Sequence, residues 1–533
     1  MCIRDRFREN TNTVFIRTRD IPGWSEKVFP SFARESKVPR LSPIIVWFNL
    51  DLRLSDQPAL RAAAQAGHPI IPCYVWDDAV RSSWIPGSAS RWWLHHSLTA
   101  LNQQFCQRGG SLVLRRGPVV ETLLSLVYET GSKAVFWTTK YDPKGKRDSE
   151  CLQSVLNALG LATRVLDAGL LFNPDEIHTQ TGQPFQRFTP FAKACLKQCS
   201  TQPVHRGPDD LSFYSGAVKT ESLETWGFVP RNLDWNVGLQ RSWQPGEVGA
   251  IRQFDRFLVR GVTDYTKDRD NLDFDGTSRL SPHLHFGELS VAQVWSKVSE
   301  NFGGDTRLNV DGYLRQLLWR EFSYHLLMHW PDLPSQPIRC EYVDFPWQPN
   351  QDWLTAWKRG QTGYPIIDAG LRQLRYCGWM HNRVRMVAAS FLVKQLLVPW
   401  QDGQAWFWES LVDADLANNA ASWQWIAGCG VDAAPYYRIF NPVIQGKKFD
   451  PTGQYVRRWV PELERLPDRW IHEPWLAPGH VVESAGFRLD RDYPRPIIDL
   501  DVGRQRALAA WQSIRSRRKT DETVGLFLYS PPQ

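Results

Sequence analysis

The sequence predicts an α/β plus all-α architecture: an N-terminal doubly wound parallel sheet, a long linker, and a helical domain. Three observations carry this. Short apolar runs alternate with helical stretches through residues 43–172. Residues 173–245 are rich in Pro, Gly, Ser, Thr and Asp with little sustained periodicity. From Glu247 onward the apolar spacing turns helical, with Pro and Gly at the breaks.

In order, residues 1–42 hold no apolar run of signal-peptide length and are set apart as a disordered or non-native leader. Ile44 to Phe48, Ile70 to Trp76, Ser111 to Leu114 and Ala134 to Trp137 have the length and the Ile, Val and aromatic content of buried strands. Between them, Asp56-Gln-Pro-Ala-Leu60 opens a helix with Asp56 as N-cap, and Ser88 to Cys106 and Val119 to Thr130 give two more. No G-x-G-x-x-G follows the first strand, which argues against a dinucleotide held there in the Rossmann manner. The helical domain, 246–500, is expected to hold helices over Val248 to Leu258, Val310 to Trp330, Asp368 to Leu397 and Trp406 to Leu411. Residues 501–533 are expected to form a tail.

The 533 residues are 42% apolar and 22% charged, the balance of an ordinary globular protein. Of the net charge of +7, residues 1–40 supply +4, from nine Lys/Arg against five Asp/Glu, so the rest carries only +3. A polyanion would therefore have to meet a local patch. The nine cysteines include no C-x-x-C pair, which predicts neither a disulfide scaffold nor a metal or iron–sulfur ligand set, and points to the cytoplasm. Cys195 and Cys199 read as a plain buried pair. The best apolar run, Met386 to Val393, ends at Lys394, too short for a membrane span. Tryptophan is abundant, 26 in all with 18 from Trp235 onward, and mostly serves packing, with a hint of aromatic chemistry.

Three segments carry chemistry. Gly276-Thr-Ser-Arg-Leu-Ser-Pro282 crowds hydroxyls, a guanidinium and backbone N–H groups ahead of a helix, which suits either a phosphate or simple capping. In Trp379-Met-His-Asn-Arg-Val-Arg-Met386, Asn382, Arg385 and Met386 share one helix face. Asp413 and Asp415 offer Arg385 an acidic partner, as a structural ion pair or as the rim of a polar pocket for a heterocycle. Gln316, Trp319 and Arg320 form a stripe able to stack on and hydrogen-bond a base, or else a surface face with a snorkelling Arg.

Together these segments resemble the photolyase/cryptochrome flavoprotein family, and within it the photolyases that repair cyclobutane pyrimidine dimers. The likeness spans about Pro43 to Leu500. It rests on Val46-Trp-Phe48 with Asp51-Leu-Arg-Leu-Ser-Asp56, Gly276 to Ser281, Leu318-Trp-Arg-Glu-Phe322, Thr362-Gly-Tyr-Pro365, Trp379 to Arg383, and Ala433-Ala-Pro-Tyr436 with Phe440-Asn-Pro442. The resemblance implies an antenna domain, a linker and a helical domain holding FAD, acting on DNA as a monomer. It implies that Tyr265, Thr277, Ser278, Arg279, Leu280 and Ser281 hold the ribityl and pyrophosphate, that Arg320 sits near the flavin, and that Asn382, Arg385, Asp413, Ala414, Asp415 and Asn419 line the ring and adenine region. Asn419 takes the place facing flavin N5, where photolyases usually carry Asn, plant cryptochromes Asp and animal ones Cys.

By the same resemblance Trp423, Trp400 and Trp347 match an electron-relay triad. Trp425, about 200° around a helix from Trp423, pairs with Trp319 as a clamp for a flipped-out dimer, with Asn382, Arg383, Met386 and Gln445 alongside and Arg269 on a phosphate. Two departures stand out. Gln316 occupies a place usually held by Glu in dimer photolyases; the 6-4 class often has Gln there but carries a His pair where this chain has Asn382 and Met386. The Asn-Glu pair of some folate-binding members is missing from Tyr141 to Asp148, so methenyltetrahydrofolate as antenna would need another mode, using Trp92 and Trp93, with a deazaflavin as the alternative. The implied function is light-dependent repair of pyrimidine dimers; the alternatives are a cryptochrome-type photoreceptor and a 6-4 photolyase.

Overall fold

The computed structural model describes residues 41–78, 84–198, 204–229, 236–301, 307–432 and 438–527. The leader expectation for 1–42 and the Ala433 to Tyr436 motif therefore fall, wholly or nearly so, outside the described residues. The first half alternates strand and helix: β1 (Ile44–Phe48), α1 (Pro58–Gln65), β2 (Ile70–Trp76), α2 (Ser88–Cys106), β3 (Val113–Arg116), α3 (Val119–Thr130), β4 (Ala134–Thr138), α4 (Pro143–Ala158) and β5 (Ala162–Leu166). Every residue of β1, β2 and β4 is buried, as expected of strands covered on both faces by crossover helices. The order is β3-β2-β1-β4-β5, all parallel, with Ile44 opposite both Ile70 and Ala134.

The sequence reading needs five corrections. Strand β3 starts two residues later than Ser111, and edge strand β5 was missed because its residues are mostly exposed and show no apolar run. Asp56 does not cap α1. Gln57 does, accepting the Leu60 N–H at 2.6 Å, while the Asp56 carboxylate takes the His205 N–H at 3.1 Å and the Ser290 hydroxyl at 2.6 Å. The tail from 501 begins in a long helix whose Ala507, Ala510 and Ile514 enter the main helical core.

The fifth correction concerns the single helix expected over Asp368 to Leu397. After α5 (Phe188–Gln198) and α6 (Val237–Ser242), both within the 173–245 stretch, the helices are α7 (Glu247–Arg260), α8 (Tyr265–Asp268), α9 (Ser281–His285), α10 (Val291–Asn301), α11 (Arg307–His329) and α12 (Gln351–Arg359). Then come α13 (Pro365–Cys377), α14 (Asn382–Ser390), a π turn over Phe391–Gln395, α15 (Trp400–Ser410), α16 (Leu416–Ala427), α17 (Pro442–Phe449), α18 (Gln454–Trp459), α19 (Gly479–Ala485) and α20 (Leu500–Phe527). The chain breaks at Gly378, whose φ of 65° is left-handed and whose Cα faces Val412 and Leu239 too closely for a side chain. His381 then starts α14, its Nδ1 accepting the Arg383 N–H at 3.1 Å. Trp379 and Met380 thus lie in a turn rather than inside a helix.

Buried charges cross from the sheet side to the helical side. Arg53 donates to the Gly287 carbonyl at 2.9 Å, and Glu247 accepts the N–H groups of Leu54 and Ser55 at 2.9 and 3.0 Å. Glu288, fully buried, accepts Trp93 Nε1 at 2.9 Å and Gly246 N at 2.7 Å through one oxygen, and His283 Nδ1 at 2.5 Å through the other.

Candidate functional site

The segment Gly276 to Ser281 leads into α9. Gly276 lies so near the Asp268 carbonyl that a side chain would collide with it. Gln253 Nε2 holds the Ser278 carbonyl at 2.7 Å, and Arg279 adopts a left-handed φ of 51°. Its guanidinium lies between the rings of Trp243 and Trp379, 4.6 and 4.9 Å from their centroids. No side chain caps α9; the Ser281 hydroxyl instead donates to Asp413 Oδ2 at 2.6 Å. That removes capping as the reason for this cluster of hydroxyls, while Thr277 and Ser278 stay partly exposed. Leu280 and Tyr265 are buried beneath, the latter edge-on to Tyr313 at 5.2 Å.

Ser281 joins this loop to the acidic pair. Arg385 Nη2 meets both oxygens of Asp413 at 3.1 and 2.8 Å, and its Nε donates to the Met380 carbonyl at 2.7 Å. The ion pair anticipated from the sequence thus exists, and it lies within a wider polar network. Asp415 caps α16, its Oδ1 accepting Asn418 N at 2.8 Å, and its Oδ2 accepts the Tyr324 hydroxyl and His285 Nδ1, the latter at 3.3 Å. Burial opposes ionisation here. The His285 and Tyr324 hydrogen bonds and the Arg320 charge outweigh it and hold the Asp415 carboxyl well below the usual carboxylate range. Arg320 lies over Tyr324 at 4.9 Å and donates to Glu321 at 3.0 Å. Burial raises the Glu321 carboxyl to about 7, against the pull of Arg320 and of the Leu171 and Phe172 amides. Ala414 is buried between the two aspartates, and Asn419, one turn into α16, is buried with its Nδ2 on the Gln404 carbonyl at 3.1 Å.

Trp423 follows Asn419 one turn on along α16. Trp423 is buried on α16, and its indole lies against Gly403 of α15, where any side chain would displace it. Trp400 begins α15 and is also buried. Trp347, half-buried, is 4.4 Å from the Phe345 ring, and its neighbour Gln348 donates its N–H to the Leu397 carbonyl at 2.8 Å, just ahead of Trp400. Trp423 and Trp400 belong to one buried hydrophobic cluster, and Trp347 packs against it.

The residues assigned to the lesion side are more open. Asn382 is exposed, with Nδ2 3.9 Å from Met386 Sδ, which agrees with their shared helix face. Arg383 pairs with Asp270 at 2.6 Å and stacks on Phe449, while Arg269 lies over Tyr265 at 5.3 Å and within 3.8 Å of Asp270. Gln445, on α17, is half-buried, as is Trp425, which shares α16 with buried Trp423. Gln316 donates its Nε2 to the Gly312 carbonyl at 3.1 Å. One face of Trp319 is already covered by Phe188, centroids 3.6 Å apart and 5° from parallel. Trp92 and Trp93 are both in the sheet-side core, Trp93 stacked on Phe286, so neither ring is free to stack a folate.

Sequence reasoning missed Tyr324, His285, Asp270 and Phe188. Tyr324 had a signal: it follows Gln316 and Arg320 at the same four-residue interval. The others come from separate segments and had none. Among the described residues no group of three or more His, Cys, Asp or Glu side chains is placed to hold a metal ion. No helix among them is long and apolar enough to cross a membrane.

Residues 44–209 match the family model "DNA photolyase", and residues 313–513 the model "FAD binding domain of DNA photolyase". The deoxyribodipyrimidine photo-lyase of Agrobacterium fabrum is 42% identical over 476 residues, 89% of this chain and 99% of the relative. Cryptochrome-1 of Arabidopsis thaliana is 38% identical over 473 residues, 87% of this chain and 69% of the relative. Among solved structures, a bacterial class III photolyase from Agrobacterium tumefaciens aligns with a TM-score of 0.86 at 42% identity, covering 91% of this chain and 100% of that one. A Synechocystis cryptochrome aligns at 0.80 and 27% identity, covering 89% and 100%.

Proposed function

The chain belongs to the photolyase/cryptochrome family, and from that premise we propose that it is a deoxyribodipyrimidine photolyase, which splits cyclobutane pyrimidine dimers in DNA under blue or near-ultraviolet light. The observation that carries this reading is Asn419: a neutral amide buried on α16, one turn beyond the Asp415 cap. A carboxylate there would oppose a reduced, anionic flavin, whereas an amide tolerates it.

The donor set fits FAD. Partly exposed hydroxyls and N–H groups at 277–281 suit a diphosphate. Arg320, Arg385, Asp413 and Asp415 supply hydrogen-bonding groups of both signs for a heterocycle, and Asn419 supplies an amide. When bound, FAD supplies the photon-driven transfer of one electron to the cyclobutane ring, with return of that electron once the ring has opened. The chain's own residues bind, orient and exclude water. Ser281 and Arg385 both hold Asp413, so the phosphate-side loop and α14 stay in register. Asp415, locked ionised between His285, Tyr324 and Arg320, presents a fixed negative rim. Trp423, Trp400 and Trp347 give electrons a route inward to restore the reduced cofactor, while Trp319 and Trp425 receive a flipped-out dimer, with Asn382, Arg383, Met386, Gln445 and Arg269 on the DNA.

A cryptochrome-type photoreceptor is the second reading, favoured by the Arabidopsis relative and by Gln316, which cannot deliver a proton to the lesion as Glu can. A 6-4 photolyase is disfavoured, because Asn382 and Met386 stand where that class resembles a His pair. We propose an antenna pigment, a folate or a deazaflavin; because Trp92 and Trp93 are buried in the sheet-side core, the folate mode that would have used them is withdrawn. We also propose a cytoplasmic monomer. The deciding experiment uses purified, reduced protein with DNA carrying either lesion. Cyclobutane dimers disappear in blue light and persist in the dark; dimers that persist in both refute the reading. The absorption spectrum and released chromophores of the same sample identify the antenna.

A further inference from the structure

Phe188, at the start of α5, lies in the stretch between the two halves of the chain and, beyond covering Trp319, has been given no role. Its ring is almost fully buried, at 1% exposure, and lies flat against the indole of Trp319, centroids 3.6 Å apart and 5° from parallel. The Arg315 guanidinium is 4.7 Å from the Phe188 centroid, and Phe322 meets both rings edge-on, at 5.9 Å from Phe188 and 6.0 Å from Trp319. Arg315 and Trp319 are one turn apart on α11, so Phe188 makes aromatic or cation–π contact with both. The Phe188 N–H also points at Asp432 Oδ2, at 3.4 Å, in the segment that follows α16 and therefore follows Trp425. The start of α5 thus touches α11, which carries Trp319, and the segment that follows α16, the helix that carries Trp425.

We propose that Phe188 is a positioning residue for lesion recognition. By occupying one face of Trp319 it fixes the indole plane and leaves only the other face for a nucleobase, and its backbone N–H on Asp432 anchors the start of α5 to the segment that follows α16. This rests on the reading that Trp319 meets the lesion. A stack on a fixed, singly exposed indole loses less side-chain freedom on binding than a stack on a mobile one, so the contribution appears in selectivity for damaged DNA rather than in general DNA affinity.

The test uses full-length, FAD-loaded protein with duplexes of one sequence, with and without a single cyclobutane dimer. Phe188→Leu keeps an apolar filler but removes the ring. It is expected to lower the ratio of damaged to undamaged affinity by about three- to tenfold, the size of one aromatic stack, with flavin content retained. Phe188→Tyr restores the ratio to within about twofold, a rescue that mere space filling would not require. An unchanged ratio in Phe188→Leu, or an equal loss of damaged and undamaged binding, overturns the proposal. Phe188→Met, closer to Phe in volume, is measured if Leu costs flavin; flavin loss from both variants also overturns it, because Phe188 would then serve only the core. Trp319→Ala separates the two levels of argument. If it leaves the ratio intact, the assignment of Trp319 to the lesion fails; if it lowers the ratio and Phe188→Leu does not, only the positioning role fails.

Discussion

Replacing Glu288 by Ala is a severe change that leaves every assigned cofactor and DNA residue in place. The carboxylate is fully buried and accepts three donors, from Trp93 of α2, Gly246 ahead of α7, and His283 of α9. Truncation strands all three. Each buried, unpaired donor costs about 1–3 kcal/mol, and deletions of one partner from a buried charged pair cost about 3–5 kcal/mol. Partial relaxation makes the lower figure, about 3–5 kcal/mol, the better total. At about 1 °C per kcal/mol for a chain of 533 residues, this lowers the melting temperature by roughly 3–5 °C. Glu288→Gln keeps one acceptor oxygen but turns an NH2 toward a donor, and should fall between Ala and the native protein. The assay is a melt followed both by far-ultraviolet circular dichroism and by fluorescence of released flavin, since α9 continues directly from the 276–281 loop. A shift below about 1 °C in both variants, equivalent to roughly 1 kcal/mol or less, would refute the claim that this carboxylate holds the two sides together.

Four further outcomes are expected. Asn419→Asp places a like charge beside the reduced flavin and destabilises it by on the order of 1–4 kcal/mol; redox titration should show a lower flavin potential, and dimer repair should slow. Trp423→Phe should slow photoreduction of oxidised flavin, followed by absorbance, while repair by chemically pre-reduced protein stays largely intact; loss of both contradicts the relay assignment. Gln316→Glu should speed dimer repair at saturating DNA, measured as turnover per absorbed photon. The folded Asp415 carboxyl lies below its unfolded value of about 3.9, so its stabilisation is complete above that pH and is lost as pH falls through the folded value. Asp415→Asn should therefore flatten the fall in stability below about pH 4, read from denaturant midpoints, and an unchanged acid limb argues against the network.

The parts of the fold legible in the sequence are those where burial and periodicity agree. Strands β1 and β2 are apolar throughout because both sheet faces are covered, and their ends fall where expected. Helices α2 and α3 likewise keep their expected limits. Edge strand β5, Ala-Thr-Arg-Val-Leu, has one neighbour and mixed exposure, so no pattern marks it. The break at Gly378 was hidden by apolar residues continuing on either side; its left-handed backbone and the nearby Val412 and Leu239 side chains, neither visible in the sequence, make that glycine necessary. In the site, Asp413 with Arg385 was legible as two complementary charges in apolar settings. The partners of Asp415 were not, because Tyr324 and His285 arrive from 91 and 130 residues away. Phe188 had no signal at all: an aromatic at a helix start reads as core until the ring it stacks on is known.

The charged seam between sheet and helices has an optical consequence. Halves of a chain joined by a flexible connection usually shift against each other, but here Arg53, Glu247 and Glu288 each reach across from buried positions, and displacement would leave charges and donors unpaired. Resonance transfer between two pigments depends on the angle between their transition dipoles as well as on their separation. A light-collecting pigment seated on the sheet side would therefore keep a constant orientation to one among the helices, and its transfer efficiency would vary little from molecule to molecule.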